Sequence, residues 1–103
     1  MSAIKDKPRT KSKREVYPFY NVILINDDFH THYYVIRMMK ELFGYEQEKG
    51  YEIAQKVDKE GFCIVKTCTK ELAELKQEQV HSFGPDQLVA ACTGAMTCNI
   101  EPV

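Results

Sequence analysis

Apolar residues run almost unbroken through Phe19-Tyr20-Asn21-Val22-Ile23-Leu24-Ile25, between Pro18 and the polar cluster Asn26-Asp27-Asp28. β-Branched and aromatic residues in so short a run predict a strand, and its near-continuity predicts a central one. The polar cluster ends it in a turn, because short polar side chains bond their own backbone. The period then changes. Val35, Met38, Met39, Leu42 and Phe43 recur at helical spacing, Thr31 can cap, and Gly44 suits the position after the last turn. These signals predict a helix from Thr31 to about Phe43. Tyr51, Ile53, Ala54 and Val57 predict a second helix over about Gln47–Val57, in which Gly50 costs up to ~1 kcal/mol. Glu60-Gly61 forms a turn, and Phe62–Cys68 reads as a second strand. Thr69 followed by Leu72, Ala73, Leu75, Val80 and Phe83 predicts a third helix, stopped by Gly84-Pro85. Residues 84–94 carry no decisive period, and Gln87–Cys92 fits a short helical turn. Met96–Glu101 reads as the last strand, before Pro102. The order is β-α-α-β-α-β, a two-layer α+β domain with a small three-stranded sheet packed against three helices.

The first 17 residues depart from this pattern. They hold almost no large apolar groups and no period, so the expectation for 1–17 is a disordered basic extension, with the folded domain at 18–103. Net charge is −1 over 103 residues, yet it is unevenly spread. Lys5, Lys7, Arg9, Lys11, Lys13 and Arg14 face only Asp6 and Glu15 within residues 1–15, a net of +4 that leaves −5 on the remainder. The small net charge argues against a nucleic-acid binder. No apolar run approaches the ~18–20 residues of a membrane span. No apolar stretch follows Met1–Asp6, so no secretory signal is expected and the chain is placed in the cytoplasm. Cys63, Cys68, Cys92 and Cys98 contain no CxxC pair, which makes free thiols in a reducing compartment the simplest expectation.

Candidate chemistry gathers after the first strand. Asn26, Asp27 and Asp28 place an amide and two carboxylates on one loop, a set that suits a cation and equally suits a turn satisfying its own backbone. His30 and His32 follow directly, which with the aspartates offers N and O donors for a metal, or simply solvated loop histidines. Asp58 stands at the end of the second helix, against the dipole by ~0.3–1 kcal/mol. Lys70, Glu71, Glu74 and Glu78 line exposed helix faces. No nucleophile elbow, P-loop, HExxH or dinucleotide fingerprint is present, and no nucleophile–base pair is visible, so an enzyme is not expected.

These pieces resemble the ClpS family of adaptor proteins. The resemblance rests on Phe19-Tyr-Asn-Val-Ile-Leu-Ile-Asn-Asp-Asp-Phe29, on Glu60-Gly61 before a strand, and on Thr69-x-Glu71-x-Ala73-Glu74-x-Lys76, and it covers about residues 17–83. It implies an ATP-dependent Clp protease adaptor that binds substrates bearing a bulky apolar N-terminal residue and delivers them to a Clp-type AAA+ unfoldase. It implies no cofactor and no metal, and the chain is expected to act as a monomer. An α-ammonium has three donors and wants an amide oxygen and carboxylates. The side chain beside it wants an apolar socket, where burial of a Leu or Phe is worth ~1.5–3 kcal/mol.

By the same resemblance, Asn26, Asp27 and Asp58 hold the α-amine. Asp28, His30, His32, Val35, Ala54, Val57 and Met96 form the rim and wall of the pocket. Glu71, Glu74 and Lys76 dock on the N-terminal domain of the unfoldase, and the tail 1–17 engages it too. Four positions depart from the family pattern. Asp58 stands where the family has a histidine, which keeps attraction for a cation. His30 replaces a small hydroxyl residue, His32 a bulky aliphatic gatekeeper, and Ala54 a Met or Leu. Three other readings remain open: a ClpS-like regulator that docks on the unfoldase without recognising N-termini, a metal-binding protein using His30, His32, Asp27, Asp28 or Asp58, and a chain sharing only its topology with the ribosomal-stalk C-terminal domain.

Overall fold

The structure, a computed structural model, describes residues 18–103. The expectation for the basic extension 1–17 lies outside the described residues. The elements are β1 (Phe19–Ile25), α1 (His32–Phe43), α2 (Gln47–Glu60), β2 (Phe62–Thr69), α3 (Lys70–His81) and β3 (Thr97–Pro102). The sheet order is β2-β1-β3 with both pairings antiparallel, so β1 is central, as its continuous apolar run predicts. Val22 and Leu24 face the helices, fully buried, and Ile23 on the opposite face is also buried.

β2 carries a bulge. Its register passes from Val22↔Lys66 to Ile23↔Ile64, leaving Val65 as an extra residue. The bulge shifts the alternation by one, so that Cys63, Val65 and Cys68 all turn inward although their spacing is not strictly two. Val35, Met38, Met39, Ile53, Ala54, Val57, Val80 and Met96 complete the core between helices and sheet.

Several boundaries differ from the sequence expectation. α2 continues past Val57 to Glu60 and ends on Gly61, which takes φ 90°, a conformation that a side chain would strain. α3 stops at His81, so Phe83 lies beyond it and packs edge-on against Tyr34 at 5.4 Å. β3 begins at Thr97 rather than Met96. Gly50, which weakens α2 by propensity, has a packing reason: a Cβ there would sit 3.2 Å from the Ile36 Cα. The glycine lets α1 and α2 approach closely.

Residues 84–94 form turns, with Val89 N–H donating to the Asp86 carbonyl (3.2 Å) and Cys92 N–H to that of Val89 (3.0 Å). Side chains hold the segment to the start of α1. Tyr34 OH donates to the Gly84 carbonyl (2.5 Å), and the buried Asp86 carboxylate accepts from Thr31 N–H (2.7 Å), the Thr31 hydroxyl (2.9 Å) and Leu88 N–H (2.9 Å). Thr31 is itself the N-cap, accepting from Tyr34 N–H. Burial pushes the Asp86 carboxyl up, but the bonds from Thr31 and Leu88, with His30 nearby, outweigh it and hold the group below the usual range. Asp86→Ala is expected to cost about 2–3 kcal/mol in urea unfolding, through three lost bonds to a charged acceptor and a loosened cap. Because the folded value is depressed, this contribution is whole above the unfolded carboxyl value of ~3.9 and drains as pH falls below it. The variant should therefore lose less stability than the parent chain on acidification, as a melting-temperature series from pH 6 downward would read.

Candidate functional site

The loop after β1 meets the end of α2. Asn26 N–H donates to the Gly61 carbonyl (2.9 Å), which sets the loop against the turn that closes α2. Asp58 lies one turn earlier, and its Oδ2 is 3.8 Å from His32 Nε2 at the start of α1. Both side chains are largely exposed, so this pair contributes little to stability. They open on a groove of about 730 Å³ whose other walls are polar side chains of α2, Glu52 and Lys56 among them.

Asp27 points elsewhere. Its carboxylate accepts from Phe29 N–H at 2.8 Å and meets His30 Nδ1 at 2.7 and 2.9 Å through its two oxygens. The His30 side chain is only 3% exposed, its ring tilted against that of Tyr34 with centroids 4.5 Å apart. Its Nε2 lies 2.9 Å from the Gly94 carbonyl oxygen and 3.3 Å from Cys92 Sγ. Asp27, His30 and Cys92 line a second cavity of about 250 Å³ with Phe29 and residues 91–95. Asp27 and Asp58 thus open on different cavities, while Asn26 and Asp28 are exposed on the loop between.

Of the expected wall, Val35, Ala54, Val57 and Met96 are each 2–3% exposed and belong to one core cluster. None of the four lines the cavity beside Asp27 or the groove beside Asp58. On α3, Glu71 and Glu74 are exposed, with Leu75 beside them. Lys76 is used internally: its Nζ donates to the Leu42 carbonyl (2.5 Å) at the end of α1 and lies 5.3 Å from the Phe43 ring centroid. A cation at a helix C-terminus is the favourable placement.

The cysteines are free, and Cys63, Cys68 and Cys98 are buried. Burial pushes the Cys98 thiol up to about 11 and raises that of Cys63. Among the described residues, no group of three or more His, Cys, Asp or Glu is arranged to hold a metal ion. His30 and Asp27 face one cavity and His32 and Asp58 the other, so the sequence cluster is divided. Also among the described residues, no helix is long and apolar enough to cross a membrane. Sequence reasoning missed Cys92. It lies 62 residues from His30, and no spacing rule reports a pair brought together only by a folded loop.

Comparison with known proteins accords with this architecture. The family model for the ATP-dependent Clp protease adaptor protein ClpS matches residues 15–87. The Clp protease adapter protein ClpS 2 of Rhizobium meliloti (strain 1021) is 34% identical over 78% of this chain and 79% of its own length. ClpS 2 of Mesorhizobium japonicum (strain LMG 29417 / CECT 9101 / MAFF 303099) is 35% identical over 82% and 85%. Among solved structures, Agrobacterium tumefaciens ClpS2 bound to L-phenylalaninamide superposes with a TM-score of 0.74 at 23% identity, covering 85% of this chain and all of that one. The class is that of a small α+β adaptor of the Clp protease system. Within it, the chain belongs to the ClpS family.

Proposed function

We propose that the protein captures the free α-amine of a substrate's N-terminal residue, seats a bulky apolar side chain against the core, and delivers the substrate to a Clp-type AAA+ unfoldase. The reading is carried by the largely exposed acidic Asn26-Asp27-Asp28 loop in a chain of the adaptor family, and it takes Val35, Ala54, Val57 and Met96 of the core as the apolar wall. Asn26 offers an amide oxygen. Asp27 retains one accepting position beyond those used by His30 and Phe29 N–H, since a carboxylate offers about four lone-pair sites. Asp58 adds negative charge across the Asn26–Gly61 contact. A ligand of this chemistry is bound by the Agrobacterium ClpS2 relative: L-phenylalaninamide carries a free α-ammonium beside a benzyl group. Exposed Glu71 and Glu74 supply the docking face, and the basic extension 1–17 a second contact with the unfoldase.

One observation favours a second reading, a regulator that docks without recognising N-termini. The Asp27 carboxylate is already bonded by His30 and Phe29, which leaves less of it for an ammonium. Fluorescence polarisation with peptides beginning Leu, Phe, Tyr or Trp, each beside its N-acetylated form, decides between them. Amine capture requires acetylation to weaken every pair, because it removes the charge and two of the three donors. Equal affinity for free and acetylated peptides excludes amine capture and leaves the second reading.

A further inference from the structure

The structure assigns Cys92 as an activated nucleophilic thiol, with His30 as its proton acceptor and Asp27 as the residue that orients His30, and we propose that it is a site of covalent modification by low-molecular-weight disulfides. The assignment shares Asp27 with amine capture but rests on the contacts among Cys92, His30 and Asp27, which need no bound amine. The constellation has the parts that nucleophilic chemistry needs: a nucleophile within reach of a base, and a base oriented by a third group. Cys92 Sγ lies 3.3 Å from His30 Nε2. His30 Nδ1 is held by both oxygens of Asp27. The ring is clamped from a third side by Tyr34 at 4.5 Å.

The hydrogen bonds define the working state. Both partners of the His30 ring, the Asp27 carboxylate and the Gly94 carbonyl, can only accept. With Nδ1 donating to Asp27, Nε2 is the ring position that can take the Cys92 proton, and once protonated it donates to the Gly94 carbonyl. Asp86 N–H reaches Sγ at 3.2 Å and supplies a donor to the sulfur. The thiol hydrogen donates to the Gly94 carbonyl at 3.2 Å and must turn to His30 Nε2 for transfer, and the thiolate so formed is the form that attacks.

Access separates this thiol from the other three. Cys92 is partly exposed and lines the cavity of about 250 Å³, whereas Cys63, Cys68 and Cys98 are buried in the core. The polar groups around Sγ also indicate the reaction class. His30 Nε2, Asp86 N–H and the Gly94 carbonyl are bonded to Sγ or to one another, so none is placed to stabilise a developing oxyanion as acyl transfer requires. Thiol–disulfide exchange develops its charge on the leaving sulfur and needs only the activated thiol and a path to it. In the step, the Cys92 proton moves to His30 Nε2 and Sγ attacks one sulfur of the disulfide RSSR. The RS–SR bond breaks as Cys92–S–SR forms. The leaving thiolate RS⁻ takes the proton from His30, and no further oxidant is consumed.

Glutathione disulfide and 4,4′-dithiodipyridine, applied to the full chain at neutral pH and followed by peptide mass mapping, test the assignment. The expected result is one adduct, at Cys92, forming at least about tenfold faster than on the same chain unfolded in urea. His30→Asn should lower the rate at Cys92 by about tenfold or more in a variant that circular dichroism shows to be folded, and Asp27→Asn should lower it while His30 stays in place. Two results overturn the proposal: Cys92 reacting no faster in the folded chain than in the unfolded one, or His30→Asn reacting at the parent rate. If His30→Asn does not fold, the comparison of folded with unfolded parent chain decides alone.

Discussion

Tyr34→Ala is expected to destabilise the folded domain by about 3–5 kcal/mol, the range for deleting a large buried aromatic side chain. Tyr34 is 2% exposed and joins three parts of the molecule. Its ring packs against Phe83 beyond α3 and against His30 in the loop after β1, and its hydroxyl donates to the Gly84 carbonyl. Removing it opens a cavity at the base of the 84–94 segment and releases that segment's first anchor. Domains of this size hold about 5–15 kcal/mol in total, so the loss is a large share of it. Urea unfolding should show a lower midpoint at an unchanged slope. Tyr34→Phe isolates the hydroxyl and should cost about 1–2 kcal/mol, the penalty of leaving a buried carbonyl without its donor. It should also change the alkaline limb. Burial pushes the Tyr34 hydroxyl up to about 12, whereas an unfolded tyrosine releases its proton near ~10. The folded value is raised, so this contribution is whole below pH ~10 and drains as the pH rises toward 12. Tyr34→Phe should flatten the stability loss between those values. A cost below 1 kcal/mol for Tyr34→Ala would show that the 84–94 segment is not held through this residue.

The legible parts of this fold are those written in local patterns. The β1 run, the Thr31 cap, the Gly44 stop and the Glu60-Gly61 turn place β1, α1 and α2 within a few residues, because each depends on neighbours in sequence. The bulge at Val65 was not legible, since it reflects how β2 aligns with β1 rather than any preference of β2 itself. Gly50 read as a weakness because the Ile36 backbone that explains it is on another helix. The 84–94 segment was opaque for the same reason. Tyr34, Thr31 and His30 fix it from α1 and its approach, through bonds that span some 50 to 64 residues. The site follows the same division. Asn26, Asp27 and Asp28 were visible as a polar cluster ending a strand, and Val35, Ala54 and Val57 as helix-face apolar positions. That Asp27 turns to His30 while Asp58 turns to His32 depended on side-chain directions that spacing does not encode. Lys76 shows the same division: the resemblance places it on the docking face, and its reach to Leu42 O is set by where α3 crosses the end of α1.

Asp27→Ala is expected to weaken binding of a Leu- or Phe-initiated peptide by roughly a hundredfold, about 2.7 kcal/mol. The effect should exceed that of any other substitution in the acidic loop, for two reasons. A charge-assisted bond to the ammonium is lost, worth about 1.5–3 kcal/mol where the acceptor is partly buried. The Asp27 side chain is 29% exposed, so its field is less screened than that of Asp58 at 69%. Asp58→Ala deletes an exposed charge and should cost only about 0.5–1 kcal/mol, a two- to fivefold loss that disappears at high salt. Asp27→Asn keeps an accepting oxygen and should fall between the two. Fluorescence polarisation at two ionic strengths measures the series, with thermal melts to confirm that each variant is folded. The order Asp27→Ala, then Asp27→Asn, then Asp58→Ala follows from capture of the amine by a partly buried carboxylate. If Asp27→Ala binds the free-amine peptide as tightly as the parent chain, the carboxylate serves only His30 and Phe29, and the acidic loop is a structural turn rather than a receptor for N-termini.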